Sequence, residues 1–436
     1  MCRISINKKF GDITMSSGGT STRTAQGPSG NMLTHHWLPI QTTGIGIPFI
    51  NTDDGSVILF NGEIFAHGFS DDMECIRNIY NEDGIMGLTQ YLFHEADGFF
   101  SLIIDMGDRI FAMTDPLGKK QLYYKDGVGI ASELKALVKE NEPYDEGHFA
   151  RTIKFGYVTD QTTPYKKIRR LKPNSLYVFD KDLDLIQVNP EIAEIEKFFG
   201  DENTLYQLMD KSVSNRLIGH KPIALLLSGG LDSSIICHHL QNQDANVQTY
   251  CTNNESDVEH ARLIDPNVKI IEVPDGSIEL SLLAMEQPLD LGSMAAQHAL
   301  MSTIEETVVL TGDGADELFG GYRRMKTYDS QLSDIYDELP YYHHVRLDRM
   351  AAAFTKEIRS PFLNLDVVGF ALSLPYQDRI DKSYLRRTYE TKLPQEIVYR
   401  EKEPLKSDVI RNSDPVLYRT GLVNLFKEIR NVKRHH

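Results

Sequence analysis

The chain has 436 residues, 41% apolar and 25% charged, with a formal net charge of −16. That length exceeds one typical core and predicts two domains, and the acidic balance opposes a nucleic-acid backbone as the main partner. No apolar run is long enough to span a bilayer, no signal pattern follows Met1, and Cys2, Cys75, Cys237 and Cys251 lack Cys-x-x-Cys spacing, so neither a disulfide framework nor structural zinc is expected. The expected compartment is a reducing cytoplasm.

In chain order, residues 1–190 read as strands with one helix. "CRISINKK" alternates Cys2, Ile4 and Ile6 with polar neighbours, and "SVILFNGEIF" is an apolar run broken at Asn61-Gly62. A helix is expected over Asp71 to Phe93, capped by Asp71 or Asp72. Hairpins follow, turning at Gly107-Asp108 and at Asp126-Gly127. Strand pairs with a helix layer predict an α+β sandwich.

A linker is expected near Asn189 to Gly200, followed by a second domain over 200–436. "ENTLYQLMDKSVSNRLI" puts Leu205, Leu208, Met209, Val213 and Leu217 on one helical face. Short apolar strands ("PIALLL", "VQTYCT", "VKIIEV", "ETVVL") then alternate with helices, which predicts a parallel doubly wound α/β sheet. After Tyr322 the chain reads as mostly helical to the end, and the basic "KEIRNVKRHH" reads as a solvated tail.

Two loops after these strands carry chemistry. "LLLSGGLDSS" turns from strand into helix, but it lacks the Gly-Lys-Ser/Thr of a Walker loop. Gly229 and Gly230 let backbone N–H groups approach an anion, the helix adds its positive end, and Ser228, Ser233 and Ser234 add hydroxyls. Asp232 would repel phosphate alone, so it implies a bridging magnesium ion. "TGDGADELFGGY" brings Asp313, Asp316 and Glu317 to the end of another strand. Either loop alone reads equally well as a capped helix or a Gly/Asp turn; the pair points to magnesium and polyphosphate.

"SGGLDSS" resembles the pyrophosphate loop of ATP pyrophosphatases, and with "GDGADELFGGY" the chain resembles the asparagine synthetase family. "EIRSPFLNLDVVGFALSLP" and "LPQEIVYREKE" extend the resemblance. It implies cleavage of ATP between the α and β phosphates. The implied ATP-contacting set is Leu226, Ser228, Gly229, Gly230, Leu231, Asp232, Ser233 and Ser234, with Gly312 and Asp313 from the second loop. Asp232 and Asp316 are the implied magnesium ligands.

Removal of Met1 would expose Cys2 as an N-terminal nucleophile, whose own α-amine can act as base. An oxyanion site is then required, and "FNGEIF" offers the Asn61 amide and the Gly62 N–H. With "DPLGKKQLYY" and "IASELKAL", this resembles the glutaminase half of glutamine-dependent asparagine synthetases, so the likeness covers nearly the whole chain. It implies an N-terminal-nucleophile fold and glutamine contacts from Asn61, Glu63 and Asp72. Two departures stand out. "QGPSG" replaces the usual Arg-Gly-Pro-Asp-Gly, and Trp37 in "HHWLPI" replaces the arginine that binds the glutamine α-carboxylate. Trp37 cannot form that bidentate pair; Arg3 and Arg23 are the substitutes to consider. His35 and His36 lack a spaced third metal ligand.

The resemblance assigns Glu357 and Lys402 to the acyl-adenylate and its nucleophile. Beyond Lys402, "PLKSDVIRNSDP" departs from the family's aspartate-site segment. The expected activity is glutamine- and ATP-dependent amide formation, with aspartate the expected acceptor and AMP and pyrophosphate released. Ammonia-dependent synthesis with an impaired glutaminase, a different acceptor carboxylate, and a non-catalytic ATP- or glutamine-binding protein are the alternatives. A homodimer is left open.

Overall fold

A computed structural model describes residues 2–8, 21–41, 49–65, 67–190, 192, 194–274, 278–289, 293–327, 334–401 and 414–432. The strands, in chain order, begin with β1 (Arg3–Asn7), β2 (Ser21–Gln26), β3 (Met32–Trp37), β4 (Ile50–Asn51), β5 (Val57–Phe65), β6 (Asp97–Asp105) and β7 (Arg109–Thr114). They continue with β8 (Tyr123–Lys125), β9 (Gly129–Ala131), β10 (Arg169–Arg170), β11 (Ser175–Asp180) and β12 (Leu185–Pro190). These form two antiparallel sheets, ordered β10-β8-β9-β1-β3-β2 and β12-β11-β7-β6-β5-β4.

Period-two alternation decides how the sheets stack. Leu59 and Ile103 meet Ile4, Ile6 and Leu33 of the first sheet. Their neighbours Ile58, Phe60, Leu102 and Ile104 turn the other way, onto Ile76, Tyr80, Leu88 and Leu92 of helix α1 (Asp72–His94). Sheet, sheet and helix therefore form three layers. Asp71 caps α1, accepting the Glu74 N–H at 2.8 Å. The strand break expected at Asn61-Gly62 is absent. β5 runs through both residues, and Gly62 is needed because a Cβ there would strike the Phe99 carbonyl on β6.

α2 (Glu146–Phe155) precedes the end of this half, and α3 (Glu202–Asn215) opens the next, burying Leu205, Met209 and Val213 as its apolar face predicts. The remaining strands are β13 (Ile223–Leu226), β14 (Val247–Thr252), β15 (Lys269–Ile271), β16 (Val308–Leu310) and β17 (Glu357–Arg359). All their pairings are parallel, in the order β15-β14-β13-β16-β17. Helices α4 (Leu231–Asn242), α5 (Glu255–Ile264), α6 (Ile278–Met285), α7 (Met294–Thr303), α8 (Ala315–Phe319) and α9 (His344–Ala353) complete the part that matters here. β17 is the one strand among the described residues in the mostly helical stretch after Tyr322. Its sequence, Glu-Ile-Arg, is too short and too charged to show strand alternation. The strand order reverses between β13 and β16, which is where a parallel sheet opens a crevice.

Buried charges join the two halves. Glu133, after β9, pairs with Arg3 of β1 at 2.9 Å and with Arg349 of α9 at 2.7 Å. Arg349 also lies 3.4 Å from Glu286, and Lys120 pairs with Asp348 at 3.2 Å. Burial opposes ionisation of Glu133, but Arg349 and Arg3 outweigh it and hold its carboxyl at about 2. The folded value lies below the ordinary 4.5, so this carboxylate stabilises the fold fully above that range and loses its contribution as pH falls from 4.5 toward about 2. Arg349→Met leaves Glu133 and Glu286 short of a buried cation and should cost about 3–5 kcal/mol. Urea unfolding of wild type and variant checks this; an unchanged midpoint contradicts it.

Candidate active site

The larger cavity, about 400 Å³, opens beyond the carboxyl ends of β13 and β16. Its first wall is the turn from β13 into α4. Gly229 has φ +66°, and a Cβ there would strike the backbone of His260 and Ala261 at α5. Only glycine permits that close approach. The Ser233 hydroxyl donates to the Gly230 carbonyl at 3.2 Å and lies 3.4 Å from the Ser228 hydroxyl. The second wall is the turn from β16 into α8. Gly312 lets this loop lie against the first, since a Cβ there would stand 2.9 Å from that of Asp232.

Leu226, Ser228, Gly230, Leu231, Asp232, Ser233, Gly312, Asp313 and Asp316 line the cavity together. Gly229 and Ser234 do not. Gly229 is spent on packing against α5, and Ser234 is turned into the protein with no exposed surface. Lys402 lies outside the described residues.

Sequence reasoning missed the cavity's strongest ion contacts. Lys382 Nζ sits 2.6 Å and 2.7 Å from the two Asp232 oxygens and 2.6 Å from Asp316 Oδ1. Two carboxylates on different loops thus converge on one cationic point. Among the described residues no cluster of three or more His, Cys, Asp or Glu side chains is placed to hold a metal. Two carboxylates supplemented by phosphate oxygens and water nevertheless suit magnesium, which keeps few protein ligands. Arg346 of α9 pairs with Asp313 at 2.7 Å and donates to Ser293 at 2.9 Å. Arg400 donates to the Ser228 carbonyl at 2.8 Å and pairs with Asp257 at 2.7 Å, so it braces the first loop. Isolated basic residues in helical stretches give no sequence signal for such long-range partners.

The second site is at Cys2. Its Sγ accepts the Leu38 N–H at 3.2 Å, which anchors it to the end of β3. Cys2, Trp37, Gly62, Glu63 and Asp72 line a small cavity of about 20 Å³. Asn61 lies one residue from this lining on β5; its amide donates to Ser101 at 3.3 Å, and its oxygen has no partner among the described residues. Gln41 donates to Glu63 at 2.6 Å. Burial pushes the Cys2 thiol up to about 12. It also raises Asp72 to about 8, with Asp71 and Glu357 adding to the effect, and lifts Glu63 well above the usual carboxylate range. A thiol so placed does not ionise unaided at neutral pH and needs an adjacent base to attack.

Glu357, assigned by the resemblance to the acyl group, is absent from the linings of both cavities, and its charge acts on Cys2, Glu63 and Asp72. β17 explains this: Glu357 is held at 2.8 Å by Arg359, whose guanidinium reaches within 3.9 Å of Glu63. Neither substitute for the missing arginine is in the small cavity's lining. Arg3 is committed to Glu133, and Arg23 is exposed on the outer strand β2.

Comparison with known proteins follows this division. The glutamine amidotransferase domain family matches residues 28–187, and the asparagine synthase family matches residues 204–340 and 327–419. A probable glutamine-hydrolysing asparagine synthetase of Acanthamoeba polyphaga mimivirus is 25% identical over 87% of this chain and 77% of its own length. Asparagine synthetase 1 of Arabidopsis thaliana is 26% identical over 87% of this chain and 71% of its own, and the Gallus gallus enzyme is 26% identical over 81% and 72%. With both domain families matched in order along one chain, this protein belongs to the glutamine-hydrolysing asparagine synthetase family.

Proposed function

We infer that this chain is an amidotransferase ligase that converts aspartate to asparagine with glutamine as nitrogen donor and ATP as the activating substrate. The observation that carries it is the joint presence, in one chain, of a cysteine-bearing cavity in an antiparallel sandwich and a two-loop cavity at the switch point of a parallel sheet, each in the segment that matches the corresponding family. The first half is read as an N-terminal-nucleophile glutaminase over 1–190, the second as an ATP-pyrophosphatase synthetase over 200–436. The four cysteines are free, and no helix of the described residues is long and apolar enough to cross a membrane. We place the enzyme in the cytoplasm.

In the glutaminase, the α-amine of Cys2 takes the thiol proton as sulfur attacks the amide carbon. The amide of Asn61 and the N–H of Gly62 stabilise the oxyanion, and Glu63 and Asp72 receive the cationic α-amino group. In the synthetase, the aspartate side-chain carboxylate displaces pyrophosphate from the α-phosphate, and ammonia then displaces AMP. Asp232 and Asp316 would hold magnesium, which supplies positive charge to the leaving pyrophosphate. Lys382 already sits between these carboxylates and offers its ammonium to the same phosphates; Lys402 supports the charge that builds on the acyl-adenylate.

Trp37 and the small volume beside Cys2 favour a second reading, in which free ammonia is the working donor and the glutaminase is weak.

Cys2→Ala should abolish glutamine-dependent asparagine formation and leave ammonia-dependent formation intact. Parallel loss of both in a folded protein contradicts two separate sites. Asp232→Asn, Asp316→Asn and Lys382→Met should each lower pyrophosphate release by about 10²–10³-fold while sparing glutamine hydrolysis. Unchanged release in any of them removes that residue from the phosphate site. Glutamine should saturate about 10–150-fold more weakly than an intact charged clamp would allow, because the α-carboxylate lacks its arginine. Saturation of glutaminase rates at low micromolar glutamine would show that another cation serves.

A further inference from the structure

Glu357 does not line the large cavity. The attacking nitrogen must still lose a proton as it adds to the acyl carbon, and the groups at the β16 end of the cavity decide where that proton goes. Asp313 is committed to Arg346 at 2.7 Å, and Glu317 accepts the Tyr322 hydroxyl. His343, just before α9, lines the same cavity. Its Nε2 lies 3.3 Å from both Glu317 Oε1 and the Tyr322 hydroxyl, and its ring stacks on Tyr322 with planes 20° apart. Its Nδ1 has no hydrogen-bond partner among the described residues.

That is the arrangement of a carboxylate–imidazole base. Glu317 holds Nε2–H, fixes the tautomer with the lone pair on Nδ1, and stabilises the imidazolium once formed. Carboxylates and phenols surround the ring. Glu317 on α8 and Glu338, 3.8 Å away on the preceding segment, are acidic. Arg324 is tied to Glu338 at 2.7 Å, and Arg346 is tied to Asp313. Tyr322 and Tyr342 are neutral phenols, and burial pushes the neighbouring His344 down to about 3, so it adds no charge. The location also fits the route of the nitrogen: β16 adjoins β17, whose Arg359 lies 3.9 Å from Glu63 of the Cys2 cavity and whose Glu357 charge acts on Cys2.

Resting on the acyl-adenylate reading above, we propose that His343 is the general base of the amidation step. The nitrogen lone pair forms the C–N bond, the acyl C–O bond to AMP breaks, and one N–H proton passes to Nδ1 of His343 and then to solvent. A positioned base of this kind contributes about 10²–10⁴-fold.

The test uses the whole enzyme with ammonia or hydroxylamine as donor. Ammonia adds to give an N-protonated adduct that must lose a proton to a base, whereas hydroxylamine is mostly neutral in solution and its more acidic adduct gives up that proton more readily. His343→Gln should lose about 10²-fold or more of ammonia-dependent asparagine formation. It should retain aspartate-dependent exchange of pyrophosphate into ATP, and it should retain hydroxamate formation from hydroxylamine. Loss of exchange, equal loss of the hydroxamate, or unchanged asparagine formation each overturns the assignment. If wild type itself shows no aspartate-dependent exchange, the adenylate reading fails first.

Discussion

Glu133 is fully buried, and two arginines from opposite halves of the molecule meet on it. Arg3 follows Cys2 on β1. Arg349 lies on α9, one helical turn beyond Arg346, which grips Asp313 in the large cavity. One carboxylate therefore fixes the strand that follows Cys2 against the helix whose Arg346 grips Asp313 in the large cavity. In a low-dielectric interior neither partner can leave without stranding a charge, so the constraint is stiff. The Arg359 bridge from Glu357 toward Glu63 runs beside it and ties the edge of the parallel sheet to the Cys2 cavity. A shared rigid frame of this kind suits a nitrogen passed from one site to the other without escaping to solvent.

Within that frame the large cavity is a study in balanced charge. Asp232 and Asp316 are brought together by two glycine-rich turns, and Lys382 neutralises both. Asp313 is answered by Arg346, and Glu317 by Tyr322 and His343. Each acidic group thus has a partner it can keep or exchange when a polyanionic substrate enters. The Cys2 cavity is arranged differently: Glu63, Asp72 and Glu357 crowd together, and burial lifts Asp72 and Glu63 out of the ordinary carboxylate range. A site so rich in acid welcomes an ammonium group and offers little to a carboxylate, which is the electrostatic counterpart of Trp37.

Much of this was legible because the local sequence carried it. Gly229 announces a φ of +66° and a close approach to α5, and the alternation in β1, β5 and β6 sorts residues onto two faces. Where reading failed, the cause was long-range. Gly62 looked like a strand break, yet it is there to let β6 come close. Glu357 and Arg359 carry no strand signal of their own, yet they form the short edge strand β17. Lys382 and His343 find their partners only through tertiary structure, so no local pattern marks either one.

The account rests on which bond of ATP is cut. ATP labelled in the α-phosphate, incubated with the whole enzyme, aspartate and ammonia, decides it. The label should appear in AMP, in step with asparagine. Label appearing in ADP would contradict the pyrophosphatase reading of the Ser228–Ser234 loop and the mechanism built on it.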